Sequence, residues 1–322
     1  MRTRFRRVDE RCGVLVAGPA GWGEFSPFPE YGPAYASRWL AAAHEAATRA
    51  WPDPVRERIP VNVTVPAVDP QRAHDLVRRS GCRTAKVKVA EPGQPLREDV
   101  ARVEAVRAAL GPGGRLRVDA NGAWDVDEAV RAIRTLDRVG LEYVEQPVAT
   151  CAEMAVLRRR IDVPIAADEV VRTADDPLHV AGLDAADVVV VKVQPLGGVW
   201  PALKVAEAAD AAGLSVVVSS ALETSIGLAA GIALAAALPR LPYACGLATA
   251  GLLDGDVVPD PLLPEAGTIM VRRPTPDEDL LRRWAPSPEQ ARGLLRRLDT
   301  CAAIMGGTDG RTATAVAAED HR

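Results

Sequence analysis

Only four of the 39 basic residues in this 322-residue chain are lysines, and three of the four, Lys86, Lys88 and Lys192, stand at the ends of short β-branched runs. Arginine keeps its proton near neutral pH. A lysine held away from water or beside another cation can lose its proton and act as a base. A chain that uses arginine wherever either residue would serve, yet keeps lysine here, points to proton transfer at these positions. Lys204, inside a helical stretch, reads as an ordinary exposed residue. Lys86 and Lys88 are two apart, so on a strand they share one face. Burying two ammonium groups together is costly unless carboxylates meet them or one is neutral. The spacing therefore predicts a depressed pKa, with Lys88 as the base and Lys86 lowering its pKa and contacting a substrate oxygen.

Three acidic residues, Asp119, Glu145 and Asp168, end the next three strand-like runs. Carboxylates brought together repel, and a hard divalent cation is the usual resolution. An all-oxygen donor set suits Mg²⁺, with Mn²⁺ as a substitute, better than zinc. The plainer alternative is that one of the three pairs with a lysine. Asn121 adds a polar group beside Asp119, and Glu169 competes with Asp168 as a ligand or supports it. No histidine falls at a strand end, which disfavours a histidine triad or zinc site. Ser219 and Ser220 then read as hydrogen-bond donors to substrate and not as nucleophiles. The five cysteines are dispersed with no CxxC pair, so neither a disulfide framework nor a zinc cluster is expected.

These residues need a scaffold that gathers strand ends. From about residue 60 the chain alternates β-branched runs with Ala/Leu/Arg-rich helical stretches, and strands are predicted at 61–65, 84–89, 115–119, 142–145, 165–168, 187–192, 215–219 and 243–247. Lys88, Asp119, Glu145, Asp168, Lys192 and Ser219 follow one another at intervals of 31, 26, 23, 24 and 27 residues, one β/α unit each. Eight such units predict a TIM-type (β/α)₈-like barrel spanning 59–270, whose C-terminal strand ends converge on one mouth. Lys192, four strands from Lys88, then lies across that mouth. Residues 1–58 break the rhythm: a hairpin, a Pro/Gly-rich loop and a helix over 34–50 read as a small α+β capping lobe. A helix over 288–301, within 271–305, is expected to complete it, and 306–322 to form a flexible tail.

Apolar residues make up 48% of the chain and charged residues 25%, with a net charge of −4. This balance fits a soluble protein with a sizeable core and gives no basic footprint for nucleic acid. No apolar stretch is long enough to cross a bilayer, and the basic first residues precede no apolar h-region, so a cytoplasmic location is expected.

In order and spacing, Lys86-Val87-Lys88, Asp119-Ala120-Asn121, Glu145-Gln146-Pro147, Asp168-Glu169 and Lys192-Val193-Gln194-Pro195 resemble the K-x-K, D-x-N, E-Q/E-P, D-E and K signatures of the muconate-lactonizing subgroup of the enolase superfamily. Lysine bases with Mg²⁺ are a known pattern of that superfamily. Within it, Ser219 through Gly227 looks like the seventh-strand segment of the o-succinylbenzoate synthases, and Gly21 through Pro27 like their capping-lobe loop. The lobe here is shorter than is usual for the family. Where dipeptide epimerases carry D-x-D, this chain reads Gly246-Leu247-Ala248-Thr249. The resemblance implies an enolase-type modified barrel and a lyase acting on a small carboxylate, with Asp119, Glu145 and Asp168 holding Mg²⁺. It implies the dehydration of 2-succinyl-6-hydroxy-2,4-cyclohexadiene-1-carboxylate in menaquinone synthesis, with Lys88 as base and Lys192 as cation. Ser219, Ser220, Glu223, Asn121 and Gly197 are the expected substrate contacts. The same lysine pair would serve an N-acyl amino acid racemase or dipeptide epimerase. A Schiff-base aldolase on the same barrel would leave the carboxylates unexplained, and a non-catalytic barrel would leave the lysines so.

Overall fold

The computed structural model describes residues 1–5, 8–173 and 175–306. The tail expected over 306–322 lies, apart from Gly306, outside the described residues.

The chain opens with an antiparallel hairpin, β1 (Val14–Gly18) and β2 (Gly21–Phe25), and helix α1 (Pro33–Thr48). Then come β3 (Arg58–Pro60), β4 (Val63–Val65), α2 (Pro70–Ser80), β5 (Thr84–Lys88), α3 (Leu96–Leu110), β6 (Arg115–Asp119), α4 (Val126–Leu136), β7 (Tyr143–Glu145), α5 (Cys151–Arg158), β8 (Ile165–Ala167) and α6 (Asp176–Gly182). The alternation continues through β9 (Val188–Lys192), α7 (Val193–Leu196), α8 (Val199–Ala211), β10 (Ser215–Ser219) and α9 (Ser225–Ala237). β11 (Thr268–Met270), α10 (Glu278–Arg283) and α11 (Pro288–Gly306) finish the described chain.

Strands β4 to β10 form one parallel sheet in sequence order. Its two edges meet on residues 245 and 246. Cys245 bridges Val61, and Gly246 bridges Ser219, with Cys245 N donating to Pro60 O at 2.7 Å and Gly246 N to Val218 O at 2.8 Å. The eighth strand expected over 243–247 is thus reduced to two closing residues. Crowding gives the reason: a Cβ on Gly246 would stand 2.5 Å from Ser219 Oγ. The first barrel strand is likewise shorter than 61–65, because the chain just before it is engaged elsewhere, β3 pairing antiparallel with β11.

Local sequence sets the helix starts. Asp125 with Glu128 and Thr150 with Glu153 form capping boxes that open α4 and α5. Asp69 caps α2, which ends on Gly81 at φ 65°. The barrel core is built largely of Val, Ala, Ile and Leu from both layers, and α9 is buried almost along its whole length. A second apolar cluster joins Val16, Phe25, Trp39 and Leu40 to Leu298 and Cys301 of α11 and to Ala221 and Leu222 of the barrel, so α11 packs with the hairpin and α1.

Candidate active site

The ladder register brings the strand ends into line. Lys88 lies opposite Asp119, Asp119 opposite Glu145, and Lys192 opposite Ser219. Lys86, buried, donates to Asp119 Oδ2 at 3.0 Å and to Glu145 Oε1 at 2.6 Å. Lys192 Nζ donates to Asp168 Oδ2. Among the described residues none donates a hydrogen bond to the buried Asp168 Oδ1, the Arg172 guanidinium standing 3.6 Å away. Asn121 donates from its backbone to Asp119 Oδ1 and from its side chain to Glu169 Oε1, both at 3.0 Å.

Electrostatics divides the two lysines of β5. Burial pushes Lys86 toward neutrality, but Asp119 and Glu145 outweigh it and hold the ammonium well above the usual lysine range. Burial lowers Lys88, and Asp119 and Glu91 only partly offset it. The depressed Lys88 pKa expected from the sequence is present, with a corrected cause. Desolvation lowers it, while the charge of Lys86 is taken up by two carboxylates. Burial raises the acids, and the outcome depends on their neighbours. Lys192, Arg172 and Lys86 overcome it at Asp168, which lies well below the carboxylate range. At Glu145 burial prevails, with Asp119 and Asp168 adding to it against Lys86, and the carboxyl is pushed up to about 8.

A cleft at the mouth is lined by Phe28, Thr64, Lys86, Asp119, Asn121, Lys192, Ser219, Ser220, Leu222 and Thr249, among others. Ser219 and Ser220 therefore reach the expected place, although the Ser220 hydroxyl is engaged by Gly246 O at 3.0 Å and Thr249 Oγ1 at 2.7 Å. Lys88 does not line the cleft; its Nζ donates to Val89 O at 2.7 Å. Two expected substrate contacts do not line the cleft. Glu223 turns back to accept from Ala221 N at 2.8 Å, buried beside Glu24 of the hairpin. Gly197, at φ 89°, backs onto α1, where a Cβ would meet Ala41 and Arg38.

Sequence reasoning did not reach three other residues. Thr64 lines the cleft from β4. Gln146, fully buried, accepts from Asp168 N at 2.9 Å and so ties the Glu145 strand to the Asp168 strand; its signal was the amide inside Glu-Gln-Pro. Arg172 donates to Asp168 O and Val171 O, but in so arginine-rich a chain nothing singles it out.

The donor set suits a hard cation. It is all oxygen, it carries a buried Asp168 oxygen that accepts no hydrogen bond from the described residues, and Glu145 is drawn toward protonation by burial, with the charges of Asp119 and Asp168 adding to it. Lys86 bridges Asp119 and Glu145 while Lys192 pairs with Asp168, and among the described residues no three His, Cys, Asp or Glu side chains gather closely enough to cage a metal. Among the same residues, no helix is long and apolar enough to cross a membrane.

Comparison with known proteins agrees with this architecture. The enolase C-terminal domain-like family model matches residues 70–276, and the enolase N-terminal domain-like model residues 1–47. The fold resembles that of the muconate lactonizing enzyme from Pseudomonas putida, with a TM-score of 0.74 at 22% identity over 87% of this chain and 99% of that one. It also resembles an N-succinyl Arg/Lys racemase from Bacillus cereus ATCC 14579, with a TM-score of 0.64 at 28% identity over 72% of this chain and 64% of that one. The o-succinylbenzoate synthase of Thermobifida fusca strain YX is 66% identical over 273 residues, 85% of each chain. That of Mycobacterium ulcerans strain Agy99 is 50% identical over 95% of this chain and 92% of its own length. With these relatives and an enolase-type barrel in place, the chain belongs to the o-succinylbenzoate synthase family of the enolase superfamily.

Proposed function

We propose that this chain dehydrates 2-succinyl-6-hydroxy-2,4-cyclohexadiene-1-carboxylate to o-succinylbenzoate, a step of menaquinone synthesis, with Mg²⁺ bound. The observation that carries this reading is the placement of Lys88, pushed toward its neutral form by burial, four strands around the sheet from Lys192, the partner of Asp168. Asp119, Glu145 and Asp168 would hold Mg²⁺, with Mn²⁺ as a substitute; when bound, the ion supplies a Lewis acid that makes the proton beside the substrate carboxylate easier to remove.

The chain's own groups perform the rest. Lys88 Nζ leaves Val89 O and takes the C1 proton, and the electron pair passes into the carboxylate. The Lys192 ammonium lies against the developing negative charge, and Lys86 offers its protons to a substrate oxygen. Lys88, now an ammonium, returns the proton to the C6 hydroxyl on the same face. The C6–O bond breaks, water departs, a C1–C6 double bond forms and the ring becomes aromatic. Ser219, Ser220 and Asn121 line the cleft and serve as substrate contacts, with Glu169 holding Asn121 from behind. The lobe of residues 1–58, completed by 271–305, closes over the barrel of 59–270 and shuts out water through Phe28.

One observation favours a second reading. Two lysines on opposite sides of one mouth can also exchange protons on both faces of an N-succinyl amino acid. Supplying Mg²⁺-loaded protein with the cyclohexadiene carboxylate and with an N-succinyl amino acid side by side separates them. Aromatisation faster than racemisation supports the dehydratase. Racemisation without aromatisation overturns it.

A further inference from the structure

Lys88 ends its strand in a tight place. Val89 N still pairs with Asp119 O at 3.0 Å, but Ala90 is left-handed at φ 57°, a conformation that a residue with a Cβ rarely adopts. The turn takes Lys88 O and Ala90 N out of the ladder, and α3 supplies both partners. Arg102 Nη1 donates to Lys88 O at 2.9 Å, and Asp99 Oδ2 accepts from Ala90 N at 2.9 Å. The two side chains are themselves joined, Arg102 Nη1 to Asp99 Oδ1 at 2.8 Å, and each is 2% exposed. Arg102 also donates to Val68 O and to Gln94 Oε1, both at 2.7 Å, so its fork ties the segment after β4 to the one after β5.

A buried ion pair is a poor way to gain stability, since apolar residues of similar volume often serve as well. This one holds the two ends of the turn that follows the proposed base, Arg102 at Lys88 O and Asp99 at Ala90 N. We propose that Asp99 and Arg102 are positioning residues for Lys88, a clamp that fixes the strand end from which Nζ reaches the substrate proton. This rests on the reading of Lys88 as the base.

The test uses full-length protein with Mg²⁺ and substrate carrying hydrogen or deuterium at C1. Lys88→Arg comes first, because activity surviving there ends the reading of Lys88 itself, independently of the clamp. Asp99→Asn, nearly isosteric, is expected to lower kcat about 10- to 100-fold, the usual penalty for a displaced reacting group. KM should stay within about threefold, since substrate binding does not need the base. The deuterium isotope effect on kcat should rise as proton transfer becomes limiting. Glu142→Gln, which breaks the pair between buried Arg117 and half-buried Glu142, serves as the control for a purely structural loss; it should lower the melting temperature and leave kcat and the isotope effect unchanged. If Asp99→Asn does not fold, Gln94→Met removes one bond of the same fork, with a smaller fall in kcat and the same rise in isotope effect expected. An unchanged kcat, or a fall with an unchanged isotope effect, overturns the proposal.

Discussion

Lys86 and Lys88 share one face of β5 two residues apart, yet Lys86 is held cationic by Asp119 and Glu145 while Lys88 is pushed toward neutrality by burial. A base works only in its neutral form, so the rate must rise with pH as Lys88 loses its proton. Because its pKa is lowered from the ordinary 10.5, that rise should be centred below the usual lysine range. A pH profile of kcat/KM checks this, and a limb centred at or above 10.5 contradicts it.

Lys86→Met should leave Asp119 and Glu145 buried without their shared cation. Removing one partner of such a pair costs about 3–5 kcal/mol. Urea unfolding without added metal is expected to show a loss of that order. Saturating Mg²⁺ should recover part of it, since a ligand that binds only the folded state stabilises it.

The buried Asp168 oxygen with no hydrogen bond makes a prediction for the metal. Chelation should abolish activity and Mg²⁺ restore it. Asp168→Asn, which keeps the shape and removes the charge, should move the Mg²⁺ titration midpoint to higher concentration, measured by calorimetry or by recovery of activity. Unchanged Mg²⁺ affinity in the variant would contradict the ligand assignment.

Glu223 lies buried beside Glu24 of the hairpin. Burial, with Glu24 adding to it, pushes its carboxyl up to about 7 from an ordinary 4.5. Between those values the folded protein binds more protons than the unfolded one. The contribution of this group is therefore full below about 4.5 and lost as pH rises toward 7. The loss is on the order of 3 kcal/mol at most. Denaturant unfolding at pH 5 and pH 8 should show a smaller difference for Glu223→Gln than for the unaltered chain.

Much of the site was legible because its chemistry sits in single residues at strand ends. The strands at 115–119 and 215–219 read correctly to the residue, the first an alternation of arginine with Leu116 and Val118, the second a valine run, each stopped by a polar side chain. What could not be read depends on approach between distant segments. The eighth strand shrinks because Gly246 must lie against Ser219, which no local pattern reports. Glu223 looked like a mouth residue by its place after β10, yet its carboxylate turns back toward Ala221 N, beside Glu24. Asp99 and Arg102 have the spacing of any exposed helical ion pair, and only tertiary burial marks them out.

The most direct test of the account is the ultraviolet change when Mg²⁺-loaded protein meets the cyclohexadiene carboxylate, run beside Lys88→Arg. Rapid conversion to the aromatic product is expected from the unaltered chain. The variant, folded and still binding Mg²⁺, should be slower by at least about 10² to 10⁴, the range for loss of a general base. Comparable rates in both would contradict it.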